Sequence, residues 1–104
     1  MNNPIPASFA HDDSLVGTGR QGQRAHQQHL AHGERLEKRL YAVTDQVWCM
    51  VGNGLSNQTF VEGPEGLIAI DTGESVEEMA EALRAVRAHT SAPLVAVIYT
   101  HFHY

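Results

Sequence analysis

Two histidines one residue apart, His101 and His103, follow an apolar run, and an aspartate, Asp71, follows another. In an extended segment, side chains at i and i+2 point the same way. Two imidazoles side by side can share a metal at about 2.0–2.1 Å per bond, and zinc suits such ligands. A zinc site with an open position ionises its water near neutral pH, which yields a nucleophile for an ester or amide. Two ligands do not hold zinc alone, so at least one more must come from elsewhere. Read by itself, His-x-His is more often a surface or hydrogen-bonded histidine pair, and its place after a buried strand brings the metal reading level with that one. Asp71 has three readings: a cap for the turn after its strand, a partner that orients the histidine loop through hydrogen bonds, or a direct ligand.

The elements that must position these residues can be read from periodicity. Leu67 to Ile70 is a short apolar run and predicts a buried strand. Ser75 followed by Glu78 is a capping box. Val76, Met79, Ala80, Leu83 and Val86 recur at helical spacing and predict one apolar face, with Pro93 closing the segment. Acidic residues open this helix and Arg84, Arg87 and His89 end it, which complements its macrodipole. Leu94 to Tyr99 predicts a second buried strand. A strand–helix–strand crossover makes the two strands parallel. Asp71 then leaves the sheet at the same rim as His101 and His103, the rim where α/β proteins bind ligands.

Upstream, Leu40 to Val43, Val47 to Val51 and Gln58 to Glu62 read as strands joined by short loops, so antiparallel pairing is expected. Gly52-Asn53-Gly54 and Gly63-Pro64-Glu65-Gly66 are the turn signals. Tyr41, Trp48 and Phe60 are expected in the core or on a sheet face. The loop from Gly52 to Asn57 is a plain hairpin connection or the border of a cleft. The division is residues 1–39, a polar arm and a helix over Arg24 to Arg39, and residues 40–104, which hold nearly all the core-forming sequence. His26, His29 and His32, three apart, are expected in solvent.

The formal net charge of −5 disfavours a nucleic-acid partner. The one cysteine, Cys49, lies in an apolar run and reads as an inert thiol. No apolar run is long enough to span a bilayer, and no signal peptide is evident at Met1 to Asp13, so a cytoplasmic location is expected. A core of about 65 residues is marginal for independent folding. It suggests a piece of a larger protein, with an exposed apolar patch, open strand edges and a tendency to self-associate.

Ile70-Asp71-Thr72-Gly73, a helix, and an apolar strand ending in Thr100-His101-Phe102-His103 resemble the opening of the metallo-β-lactamase fold. Asn53 to Gly63 and Val95 to His101 look most like its alkyl sulfatase branch. The resemblance covers about Leu40 to Tyr104 and implies an α/β fold, the N-terminal part of an αββα sandwich. It implies two zinc ions in the intact site, His101 and His103 as ligands of the first, and Asp71 as a structural residue beneath the metal loop. It implies hydrolysis of alkyl sulfate esters by a metal-held water, and dimerisation through a helical domain outside this chain. The Asp and His that complete the family motif are not in the sequence, which ends at Tyr104. The 104-residue chain is therefore expected to be inactive alone and to hold at most one zinc weakly. The alternatives are another hydrolase of the superfamily (a thioesterase or lactonase) and a truncated, non-catalytic α/β module.

Overall fold

The computed structural model describes residues 12–102, which fall into two compact units divided between Arg35 and Leu36. The first unit opens with a 3-10 turn, Asp13–Leu15, capped by Asp12. The Asp12 carboxylate accepts from the Ser14 hydroxyl at 2.6 Å and the Ser14 N–H at 3.0 Å, and these bonds hold its carboxyl below the ordinary range. Strands β1 (Val16–Thr18) and β2 (Arg24–His26) pair antiparallel, and helix α1 (Gln27–Glu34) follows at once. The sequence predicts a flexible arm up to Gln23 and a helix over Arg24 to Arg39. Instead the Gly19–Gln23 turn, closed by Gly19 N–H to Gln23 O at 2.8 Å, folds part of the arm into a hairpin. Residues 1–11 of that arm lie outside the described residues. The helix is shorter at both ends. His26 caps it by accepting the Gln28 N–H on Nδ1, and His29 and His32 are exposed, as expected.

The second unit is one five-stranded sheet in the order β3-β4-β5-β6-β7 and one helix. Strands β3 (Arg39–Thr44), β4 (Val47–Val51), β5 (Gln58–Gly63) and β6 (Gly66–Ile70) form an antiparallel meander. Helix α2 (Val76–Val86) crosses from β6 to β7 (Leu94–Ile98), and these two strands are parallel. The architecture is α/β, with antiparallel strands followed by a β-α-β unit, as the periodicities predict.

Strand alternation puts Trp48 and Met50 of β4, Phe60 of β5, and Leu67 and Ala69 of β6 on one face. Ala82 and Val86 of α2 close over that face, with Met79 and Leu83 beside them. Complete burial of an aromatic or aliphatic side chain of this kind contributes about 1.5–3 kcal/mol. Tyr41, expected among the core or sheet-face residues, is half-buried, with the Arg39 guanidinium 4.2 Å above its ring. The helix is rotated slightly from expectation. Val76, at its first position, is exposed, and Ala82 takes the buried place.

Two departures bear on the site. Gln58, a polar residue at a strand start, is completely buried beside Phe60. Strand β7, expected to be buried, is exposed along its whole length, with Val95 at 51%, Val97 at 41% and Ile98 at 50%. Its Val-rich sequence has the composition of a strand covered on both faces. In the described unit it is the sheet edge.

Candidate functional site

The rim is built where β6 and β7 end together. The Asp71 N–H donates to the Ile98 carbonyl at 2.8 Å, which extends the parallel ladder by one bond. Asp71 then turns into the left-handed region at φ 60°, the only non-glycine residue to do so among the described residues. Aspartate is one of the few residue types that tolerate this conformation. The turn aims its carboxylate at the other strand end. Oδ1 accepts the Thr100 N–H at 2.9 Å, and Oδ2 accepts the Thr100 hydroxyl at 2.7 Å.

Thr100 Oγ1 also lies 2.8 Å from His101 Nδ1. The hydroxyl has a single proton, and the carboxylate, which only accepts, takes it. The oxygen therefore accepts from His101, and Nδ1 carries the imidazole proton. Nε2 is left with its lone pair directed away from Thr100. A histidine that donates one ring N–H to a fixed partner and presents the other nitrogen is the usual form of a metal-binding imidazole. The structure thus brings Asp71 and His101 together through Thr100. His103 lies outside the described residues. Sequence reasoning missed Thr100, although a hydroxyl residue immediately before the first histidine is the available signal.

A cavity of about 420 Å³ opens beside this chain of bonds, lined by Ser56, the Asp71–Glu74 turn, Tyr99, His101 and Phe102. Its volume is within the range of small-molecule sites. Ser56 brings the loop after β4 to the cavity, so that loop borders a cleft. Gln58 anchors it from below: Nε2 donates to the Ser56 carbonyl at 2.9 Å and Oε1 accepts from Asn53 Nδ2 at 3.1 Å. Asn53 Nδ2 also donates to the Glu78 carbonyl at 2.8 Å. These bonds explain a buried glutamine, because a buried amide is tolerated when its polar atoms are paired. Cys49, half-buried, accepts from the Thr59 hydroxyl on β5 at 3.4 Å.

The donor chemistry suits a metal only in part. His101 offers one imidazole, and the Asp71 carboxylate is engaged by Thr100. Among the described residues no group of three or more His, Cys, Asp or Glu side chains could hold a metal ion. The remaining donors of a complete site must come from outside them. Among the described residues the lining has no lysine or arginine but includes Asp71 and Glu74. An anionic substrate would meet repulsion here unless a cation were present.

The comparisons with known proteins fit this geometry. Residues 51–104, just over half of the chain, match the metallo-beta-lactamase superfamily. The chain belongs to that superfamily. Its members typically bind metal ions, and the α/β unit described here is part of their fold. Among curated relatives, a linear primary-alkylsulfatase of a Pseudomonas strain is 49% identical over 43 residues, which is 41% of this chain and 8% of the relative. The alkyl/aryl-sulfatase BDS1 of Saccharomyces cerevisiae is 40% identical over 65 residues, 62% of this chain and 10% of the relative. An (R)-specific secondary-alkylsulfatase of Pseudomonas is 35% identical over 65 residues, with the same coverage. Within the superfamily the resemblance is to the alkyl sulfatase branch, and the chain spans about a tenth of the length of these relatives. Among the described residues no helix is long and apolar enough to cross a membrane.

Proposed function

We propose that this chain carries the opening part of a zinc-dependent hydrolase site whose substrates are alkyl sulfate esters. His101 and His103 would be two ligands of one zinc ion, and Asp71 would hold the first of them in place through Thr100. The observation that carries this reading is the paired acceptance by Asp71 of the Thr100 N–H and hydroxyl, with His101 Nδ1 bonded to that hydroxyl. The names of the relatives support the substrate class.

When bound, zinc would supply a Lewis acid and lower the pKa of water. The chain's own residues do the rest of the preparation. Asp71 accepts two bonds from Thr100 and so fixes the end of β7. Thr100 passes that constraint to the His101 ring and sets its tautomer. Tyr99 and Phe102 give the cavity an apolar wall, suited to the hydrocarbon part of an amphiphilic ester. Asp71 and Glu74 in the lining make the cavity hostile to a sulfate group until cationic charge is present.

The test is zinc titration of the 104-residue chain, with an alkyl sulfate hydrolysis assay alongside. With only part of a ligand set, the expected Kd is on the order of 10 µM or weaker, lost in both His101→Ala and His103→Ala, with no turnover of dodecyl sulfate. Zinc binding unchanged by both substitutions would refute the assignment, and turnover by this chain alone would refute the reading that it holds only part of the site.

A further inference from the structure

The carboxylate of Glu78 sits between two loops that both reach the cavity. In the usual capping box the residue three positions into the helix returns its side chain to the N-cap N–H. Here Ser75 accepts the Glu78 N–H at 3.1 Å, but Glu78 Oε2 reaches one residue further back and accepts the Glu74 N–H at 2.9 Å. Glu74 is the last residue of the turn that starts at Asp71. That turn contains two left-handed residues, Asp71 at φ 60° and Gly73 at φ 76°. Any side chain on Gly73 would collide with the Glu78 carboxylate, and so would one on Gly54 across the gap. The backbone carbonyl of Glu78 accepts from Asn53, which ties the same residue to the loop that carries Ser56.

We propose that Glu78 is a positioning residue: seated between Gly54 and Gly73, it fixes the Asp71–Glu74 turn and thereby sets the Asp71–Thr100–His101 chain. The inference deepens the zinc-site reading and rests on it for its functional meaning. Its physical content is independent of metal. A turn with two left-handed residues in three positions has few alternatives once its last N–H is held by a half-buried acceptor, and a carboxylate is favoured there by the N-terminus of α2. Releasing Glu78 removes a side-chain acceptor that ties the turn to α2. Asp71 is then free to sample conformations in which its carboxylate no longer meets Thr100.

The experiment compares the 104-residue chain with Glu78→Ala and Glu78→Gln, without metal, by amide hydrogen exchange and by 15N spectra of the His101 ring. In Glu78→Ala the Glu74 and Thr100 amides are expected to exchange on the order of tenfold faster. The His101 spectrum should shift from a dominant Nδ1–H form towards a tautomer mixture. Glu78→Gln keeps an oxygen acceptor and is expected to restore both readings. If Glu78 acts only as part of a helix cap, the first turn of α2 and Glu74 will exchange faster while Thr100 and His101 stay as they were, and the proposal falls. Should Glu78→Ala not fold, Glu78→Asp keeps the charge but stops one methylene short. Faster Thr100 exchange in that variant supports the proposal, and unchanged exchange overturns it. A parallel zinc titration of the unaltered chain separates the two ideas, because failure to bind zinc leaves the exchange result standing.

Discussion

Strands β6 and β7 are parallel neighbours of the same length, and each is followed by residues of the candidate site. Their surroundings differ. In β6, Gly66, Leu67 and Ala69 are buried, and the strand is paired on both sides. All five residues of β7 are exposed, and among the described residues it is paired only to β6. Asp71 therefore leaves a strand held by the core, whereas His101 leaves a strand held by one ladder and by Thr100. The lesson is about direction. The Asp71–Thr100 pair transmits order from the well-supported strand to the poorly supported one, so the imidazole is positioned from the β6 side.

Substitutions can break this contrast in order of expected size. Phe60→Ala removes a completely buried ring from the supported half and is expected to cost about 3–5 kcal/mol in a denaturant melt of the second unit. Asp71→Ala withdraws the acceptor of two bonds and places alanine in the left-handed region. A loss of about 1–3 kcal/mol is expected, together with faster exchange of the Thr100 amide and of β7. Asp71→Asn, which tolerates the backbone, should lose less. Ser75→Ala removes the α2 cap at about 1 kcal/mol, and its exchange effects should stay within the first turn of α2. Val97→Thr should change stability by less than about 0.5 kcal/mol, since the residue is already exposed. It should also reduce self-association in sedimentation velocity, because an apolar edge strand is a template for pairing. A loss at Val97 as large as that at Phe60 would erase the distinction between the strands.

Much of this arrangement was legible in the sequence, for identifiable reasons. Val47 to Val51, Leu67 to Ile70 and the Ser75-x-x-Glu78 signature are strong local patterns, and the crossover rule converts them into a shared rim for Asp71 and Thr100-His101. The hairpin of β1 and β2 was not legible, because strands of three residues are too short to leave a period. The burial of Gln58 was not legible either. It depends on Asn53 and Ser56 being folded back over it, which is a tertiary fact. The composition of β7 correctly signals a strand but not its exposure, since exposure depends on what else lies against the sheet. In the sequence Glu78 is half of a capping box, and its longer reach to Glu74 emerges only when the turn's two left-handed residues are in place.

The most telling measurement is a zinc titration followed through the 15N resonances of the His101 ring. A shift at Nε2, with Nδ1 remaining protonated and the whole response weakened in Asp71→Ala, is the predicted outcome. Coordination through Nδ1, or a His101 ring that stays unperturbed while zinc is raised to millimolar levels, would contradict the role given to Asp71 and Thr100.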